Sequence, residues 1–141
     1  MMNELSLLAG RSVLIVEDEA ITAIGLRRAL TAAGMLVVGM AANGEQAVEL
    51  TLRLRPDIVL MDVEMPGMRG TDAARQVLCY HHPCLVFLTS YEPAELRDDM
   101  WDIEPHGFLV KPVEAPEVPA YLEACFTAYL LGNRKHEVAA M

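Results

Sequence analysis

The sequence predicts an α/β fold, a doubly wound five-stranded parallel sheet with helices on both faces. Three observations predict it. Short apolar runs rich in branched residues recur five times along the 141 residues, as buried parallel strands do. Between them lie stretches with apolar residues at helical spacing. Several of the runs end in a carboxylate, a hydroxyl or an ammonium, and parallel strands gather such ends on one edge. Because each right-handed crossover helix must pack on one side of the sheet or the other, both faces are expected to be covered.

Val13-Leu14-Ile15-Val16 is the first buried strand, and it opens into Glu17-Asp18-Glu19. From about 19 to 33, Ala23, Leu26, Leu30 and Ala33 recur at helical spacing, Arg27 and Arg28 point elsewhere, and Gly34 supplies a stop. Leu36-Val37-Val38-Gly39-Met40-Ala41 reads as the second strand. Asn43-Gly44 then caps a helix with Ala47, Leu50 and Leu54 on one face, ending before Pro56.

The third strand, Ile58-Val59-Leu60-Met61, lies between Asp57 and Asp62 and runs into the Pro/Gly-rich loop Met65-Pro66-Gly67. A third helix is expected from Gly70 to about Cys79, broken by His81-His82-Pro83 before a strand over 85–90 that ends in Thr89-Ser90. Pro93 to about Trp101 reads as a short fourth helix, with Met100 and Trp101 packed at its end. Gly107-Phe108-Leu109-Val110-Lys111 is the fifth strand, closed by Pro112. Pro116 and Gly132 bracket a fifth helix whose Val118, Leu122, Cys125 and Tyr129 form a buried stripe. The domain is expected to span 12–131. Residues 1–11 read as a leader or linker remnant, and 132–141, with Arg134, Lys135 and His136, as a frayed tail.

A net charge of −9 and a pI near 4.8 oppose direct binding to nucleic acid or anionic membrane, whose phosphates attract basic surfaces. Three cysteines, Cys79, Cys84 and Cys125, without CxxC spacing, point away from a disulfide framework and toward a reducing cytoplasm. No apolar run approaches the roughly 18 residues needed to span a bilayer.

The strand tips bring Glu17, Asp18, Asp62, Thr89 and Lys111 to one cleft. Three adjacent carboxylates resist ionising together unless a cation offsets them. Mg2+, with Mn2+ able to substitute, suits a site built only of hard oxygen ligands. Cys and His are missing from the group, which argues against zinc. A metal, an ionised aspartate, a hydroxyl and a lysine make a phosphoryl-transfer site. Asp62 is then the nucleophile, Asp18 and Glu17 hold the metal, Glu17 through water, and Lys111 and Thr89 bind phosphoryl oxygens.

Val16-Glu17-Asp18, Leu60-Met61-Asp62-x-x-Met65-Pro66-Gly67 with Gly70, Leu88-Thr89-Ser90 and Phe108-x-x-Lys111-Pro112 occur in order at compatible spacing. Together they resemble the CheY-like response regulator receiver domain of bacterial two-component signalling, over roughly residues 12–131. The resemblance implies a flavodoxin-like (βα)5 sandwich with strand order 2-1-3-4-5. It also implies a phosphorelay in which a histidine kinase or phosphotransfer protein donates phosphoryl from phosphohistidine to Asp62. The metal ligands become Asp18, Asp62 and the backbone carbonyl of Glu64. Thr89 moves toward the phosphoryl group, Phe108 turns inward behind it, and Pro112 follows a cis bond. The face of the fourth helix, fifth strand and fifth helix then forms a homodimer or docks a downstream partner. Glu64 and Tyr91 stand where family members overlook the phosphoryl group and so bear on its lifetime. Arg69 replaces a common acid or amide, and the short span from Asp62 to Thr89 implies a trimmed third helix or loop.

An alternative is an aspartyl-phosphate hydrolase acting on small phosphomonoesters, suggested by Asp62-Val63-Glu64. Chain order opposes it, because such enzymes carry the nucleophile on the first long strand. A receiver-like binding module that never meets phosphate is opposed by the complete set of five site residues. The chain is therefore expected to be a signalling receiver rather than an enzyme acting on a separate substrate.

Overall fold

The computed structural model describes residues 6–139. Strands β1 (Ser12–Val16), β2 (Leu36–Ala41), β3 (Ile58–Asp62), β4 (Cys84–Thr89) and β5 (Gly107–Val110) form one sheet in the order β2-β1-β3-β4-β5. All four pairings are parallel. The α-helices are α1 (Ala20–Ala32), α2 (Gly44–Leu54), α3 (Gly70–Leu78) and α4 (Val118–Ala139). Order and class agree with the sequence reading.

Two apolar clusters cover the sheet. On one face Leu26 and Leu30 of α1 and Leu122 and Phe126 of α4 pack on Val13, Ile15, Ile58 and Val86. On the other, Ala47 of α2 and Ala73 and Ala74 of α3 pack on Leu14, Val16, Val59 and Phe87. Consecutive residues of β1, β3 and β4 thus bury to opposite sides, which is why these strands read as unbroken apolar runs. Each large side chain fully buried there contributes about 1.5–3 kcal/mol. The three strands that carry Glu17, Asp62 and Thr89 are accordingly the best anchored in the molecule.

Local signals act where the sequence places them. The Asn43 side chain accepts a hydrogen bond from the Gln46 N–H at 2.9 Å and caps α2. Gly34, at φ +90°, takes the left-handed turn that ends α1. Val118, Leu122 and Cys125 are buried, and Tyr129 packs beside them. Helix α3 has nine residues, in keeping with the short span between Asp62 and Thr89. The Lys111–Pro112 bond is cis.

Three expectations need correction. The fourth helix is not formed: Pro93–Leu96 is a single 3-10 turn and turns follow through 102, so the described residues hold four α-helices. Arg75 bonds the Asp99 carbonyl and the Asp102 carboxylate, and Arg69 pairs with Asp99 at 2.8 Å. Those contacts draw onto α3 a backbone that would otherwise continue helically. Asp98, Asp99 and Asp102 would also sit at the unfavourable end of the helix dipole. Second, Trp101 is 81% exposed rather than packed. Third, α4 runs through Gly132 to Ala139, because one interior glycine costs only about 1 kcal/mol and no left-handed turn forms there.

Residues 6–11 lie on the domain. Leu8 is buried in the first cluster, Leu7 N–H and Ser6 Oγ donate to Glu123 at 3.0 and 3.2 Å, and the Arg11 guanidinium lies 5.0 Å from the Phe126 ring centre.

Gly70 fixes the third helix against the site. A Cβ there would collide with the Asp62 carbonyl oxygen and lie 2.9 Å from Val63 Cα. Gly70→Ala is expected to lower stability by about 1–3 kcal/mol, as overpacking does. A urea midpoint with unchanged slope would show it, and an unaltered midpoint would refute the contact.

Candidate phosphoryl-acceptor site

Three strand tips and one lysine converge as the sequence predicts. β1 and β3 are neighbours, so Glu17 and Asp62 leave the sheet side by side. Both are nearly inaccessible, at 4% and 1% exposure, whereas Asp18 is exposed. Lys111 follows β5 and reaches across the β4 tip. Its ammonium lies 2.9 Å from Asp62 Oδ2 and 3.1 Å from Glu17 Oε1. The backbone holds the same geometry: Lys111 N–H donates to the Thr89 carbonyl at 2.7 Å, and Glu17 N–H to that of Ala41 at 2.9 Å.

Burial dominates the electrostatics. It raises the Asp62 pKa from the ordinary 3.8 to about 7; the Lys111 hydrogen bond opposes the shift, and the neighbouring Glu17 charge adds to it. For Lys111, burial disfavours the charge, but the Asp62 and Glu17 carboxylates outweigh it and hold the ammonium above its usual pKa. One cation thus serves two buried anions.

Carboxylate oxygens of Glu17, Asp18 and Asp62 lie within 4.8 Å of one another. Glu17 Oε2 accepts from the Glu19 N–H at 3.1 Å, while buried Oε1 has no aligned hydrogen-bond donor despite the nearby ammonium. Three carboxylates against one ammonium leave about two formal negative charges when all are ionised. An all-oxygen donor set with that deficit fits a hard divalent cation. Among the described residues this is the one such cluster. Away from this cluster, His81 Nε2 lies 2.9 Å from the Pro56 carbonyl, and Tyr129 Oη donates to that of His82 at 2.6 Å.

Thr89 is fully buried at the end of β4. Its Oγ1 donates to Glu64 Oε2 at 2.8 Å and accepts from the Tyr91 N–H at 3.0 Å. The Ser90 N–H donates to Glu64 Oε1 at 2.8 Å, and the Glu64 N–H donates to Asp62 Oδ1 at 3.0 Å. Phe108 is separate from this cluster. Half-buried, it tilts against Phe87 with ring centres 6.1 Å apart and lines an open cleft of about 410 Å3 with Ala94, Arg97, Met100 and Trp101.

Sequence reasoning placed the Glu64 acid over the phosphoryl group but missed its bonds to the Thr89 hydroxyl and the Ser90 amide. Register would have revealed them. Asp62 pairs with Leu88, so the residues just beyond each strand end are neighbours, and an acid there faces a hydroxyl and a free amide.

Comparison with known proteins agrees with this geometry. Residues 13–123 match the family model described as the response regulator receiver domain. The transcriptional regulatory protein PdtaR of Mycobacterium tuberculosis is 34% identical over 119 residues, covering 84% of this chain and 58% of PdtaR, so the chain spans little more than half that relative's length. The receiver domain of a modulated diguanylate cyclase from Desulfovibrio desulfuricans superposes with a TM-score of 0.77 at 33% identity, covering 87% of this chain and 98% of that one. A chain of the CheX–CheY–BeF3–Mg2+ complex from Borrelia burgdorferi gives 0.75 at 26% identity, covering 84% and 90%. On its motifs, its strand order and these likenesses, the chain belongs to the response regulator receiver domain family.

Proposed function

We propose that this receiver accepts a phosphoryl group on Asp62 in a two-component phosphorelay, in a Mg2+-dependent step that Mn2+ also supports. The observation that carries the reading is a buried aspartate held at 2.9 Å by a lysine that also faces Glu17, beside a buried hydroxyl at the next strand tip. The donor is a phosphohistidine of a histidine kinase or phosphotransfer protein. An Asp62 carboxylate oxygen attacks phosphorus. The P–N bond breaks with its electron pair on the imidazole nitrogen, which leaves, and an acyl phosphate remains on Asp62.

The chain's own residues do the positioning. Glu17, Asp18, Asp62 and the Glu64 backbone carbonyl would hold the cation, which when bound offsets charge on the transferring oxygens. Lys111 keeps Asp62 oriented and presents its ammonium to a phosphoryl oxygen. Thr89 supplies a hydroxyl donor from β4, and Phe108, next to the 93–102 segment, would pass the change to the surface. That segment, β5 and α4 form the output face, where a homodimer or a downstream protein would bind. The net charge of −9 opposes direct contact with nucleic acid or an anionic membrane; among the described residues no helix is long and apolar enough to cross a bilayer. Three free cysteines suit the cytoplasm. The receiver unit is taken as 12–131.

With acetyl phosphate and Mg2+, intact mass is expected to show gain of one phosphoryl group, and Asp62→Asn to gain none. Wild type that gains none from acetyl phosphate or from a cognate kinase would reject the reading. Lys111→Ala should slow phosphoryl gain by roughly 10²-fold, the size of loss seen when an oriented charge-stabilising donor is removed.

Titration of Asp62 adds a pH test. Its folded pKa of about 7 lies above the ordinary 3.8, so the fold binds a proton that the unfolded chain releases. The stability contributed is complete below the lower value and lost as pH rises through the higher one. The metal-free melting temperature of wild type should therefore fall across that window by more than that of Asp62→Asn. Mg2+ affinity, competing with the same proton, should weaken by about tenfold per unit below about pH 7. Calorimetry showing a flat affinity across that range would contradict the proton competition.

A further inference from the structure

We propose that the Glu64 carboxylate is a built-in competitor for the phosphoryl group: it occupies the donors of Thr89 and Ser90 at rest, and on phosphorylation it crosses an adjoining cleft to Arg69. The inference rests on the receiver reading above and extends it to a side chain that family position tied to phosphoryl lifetime without giving it a resting partner.

Geometry makes Glu64 a competitor. Its N–H is tied to Asp62 Oδ1 at 3.0 Å, so its backbone is fixed to the acceptor. From there the side chain turns to β4, where Oε2 accepts the Thr89 hydroxyl proton and Oε1 the Ser90 N–H, both at 2.8 Å. Thr89 is fully buried, and its oxygen already accepts the Tyr91 N–H. A hydroxyl has one proton to donate. While Glu64 holds that proton, a phosphoryl oxygen on Asp62 cannot. Both Glu64 bonds are charge-assisted, the stronger kind, and a carboxylate offers a fork of anionic oxygens much as a phosphoryl group does. Once the acyl phosphate forms, two anions contend for the same donors within one small site, and repulsion favours the departure of the mobile one.

A destination is at hand. Glu64, Met65, Arg69 and Tyr91 line one open cleft of about 350 Å3. The guanidinium of Arg69 in that lining pairs with Asp99 at 2.8 Å, with both side chains more than 40% exposed. Pairs that exposed are weak, and a second carboxylate arriving at Arg69 competes with Asp99 for it. Asp99 belongs to the turn segment that replaces the fourth helix and carries the chain's one tryptophan, Trp101. Displacement of Glu64 from Thr89 thereby slackens one of the arginine contacts that hold this segment to α3.

Beryllofluoride with Mg2+ serves as the phosphoryl probe, with affinity read by calorimetry and the segment by Trp101 emission. Glu64→Gln removes the anion at similar size and is expected to bind the probe roughly tenfold more tightly, as the loss of a charged hydrogen-bond competitor implies. The gain should shrink below about threefold in a Thr89→Val background, because the competition is for that hydroxyl; a mere relief of charge repulsion would persist there. In wild type the probe should shift Trp101 emission. In Arg69→Gln the emission should start near the loaded wild-type value and move little.

Equal or weaker binding by Glu64→Gln, or a gain that survives Thr89→Val intact, would overturn the competition. A full Trp101 shift in Arg69→Gln would overturn the transfer to Arg69. Wild type that binds no beryllofluoride with Mg2+ would bring down the receiver reading and this inference together, whereas the other failures leave the receiver reading standing.

Discussion

The contact on which the site depends is one ammonium shared between two buried carboxylates. Lys111 stands 2.9 Å from Asp62 and 3.1 Å from Glu17, and each acid is nearly cut off from water. Without the lysine the pair would take up a proton. With it, Asp62 stays poised near neutrality, where a small change in surrounding charge decides its state. Rigidity follows from the sheet: β1 and β3 are packed from both sides, so the carboxylates cannot separate to relieve their repulsion. The fold holds charge together by preventing its escape.

Much of this was legible in the residues. Strands buried on both faces leave continuous apolar runs, so the five strands could be read directly, their order came with the family resemblance, and the polar residues after four of the runs marked the cleft. The residues at the tips, Glu17, Asp18, Asp62, Thr89 and Lys111, needed only topology to bring them together. What was not legible depends on pairs distant in the chain. Pro93 to Trp101 has helical composition, yet its path answers to Arg69 and Arg75 on another element. The Glu64 side chain is the same kind of case, since its partner is set by the β3–β4 register rather than by neighbours in sequence.

The missing helix leaves the two sides of the molecule unlike. α1 and α4 are long and closely packed, and residues 6–11 are pinned to α4 through Glu123 and Phe126. The 93–102 segment before β5 is held by exposed ion pairs and by the buried side chains of Leu96 and, just after it, Ile103. Few buried contacts and many solvent-facing polar ones give low local stability. A switch needs one stiff part and one soft part, and the two are divided here by the last strand.

The position of β5 at the sheet edge has a consequence for how the chain assembles. Glu17 and Asp62 meet as soon as β1 pairs with β3, but their counterion arrives with the strand added beyond β4. Any folding route that builds the sheet outward from β1 and β3 therefore brings the two acids together before their counterion, and must hold a proton there or carry their repulsion until β5 docks. On such a route the residues that make the finished protein reactive oppose one another first, and divalent ions or mild acid would relieve that repulsion while β5 is still undocked.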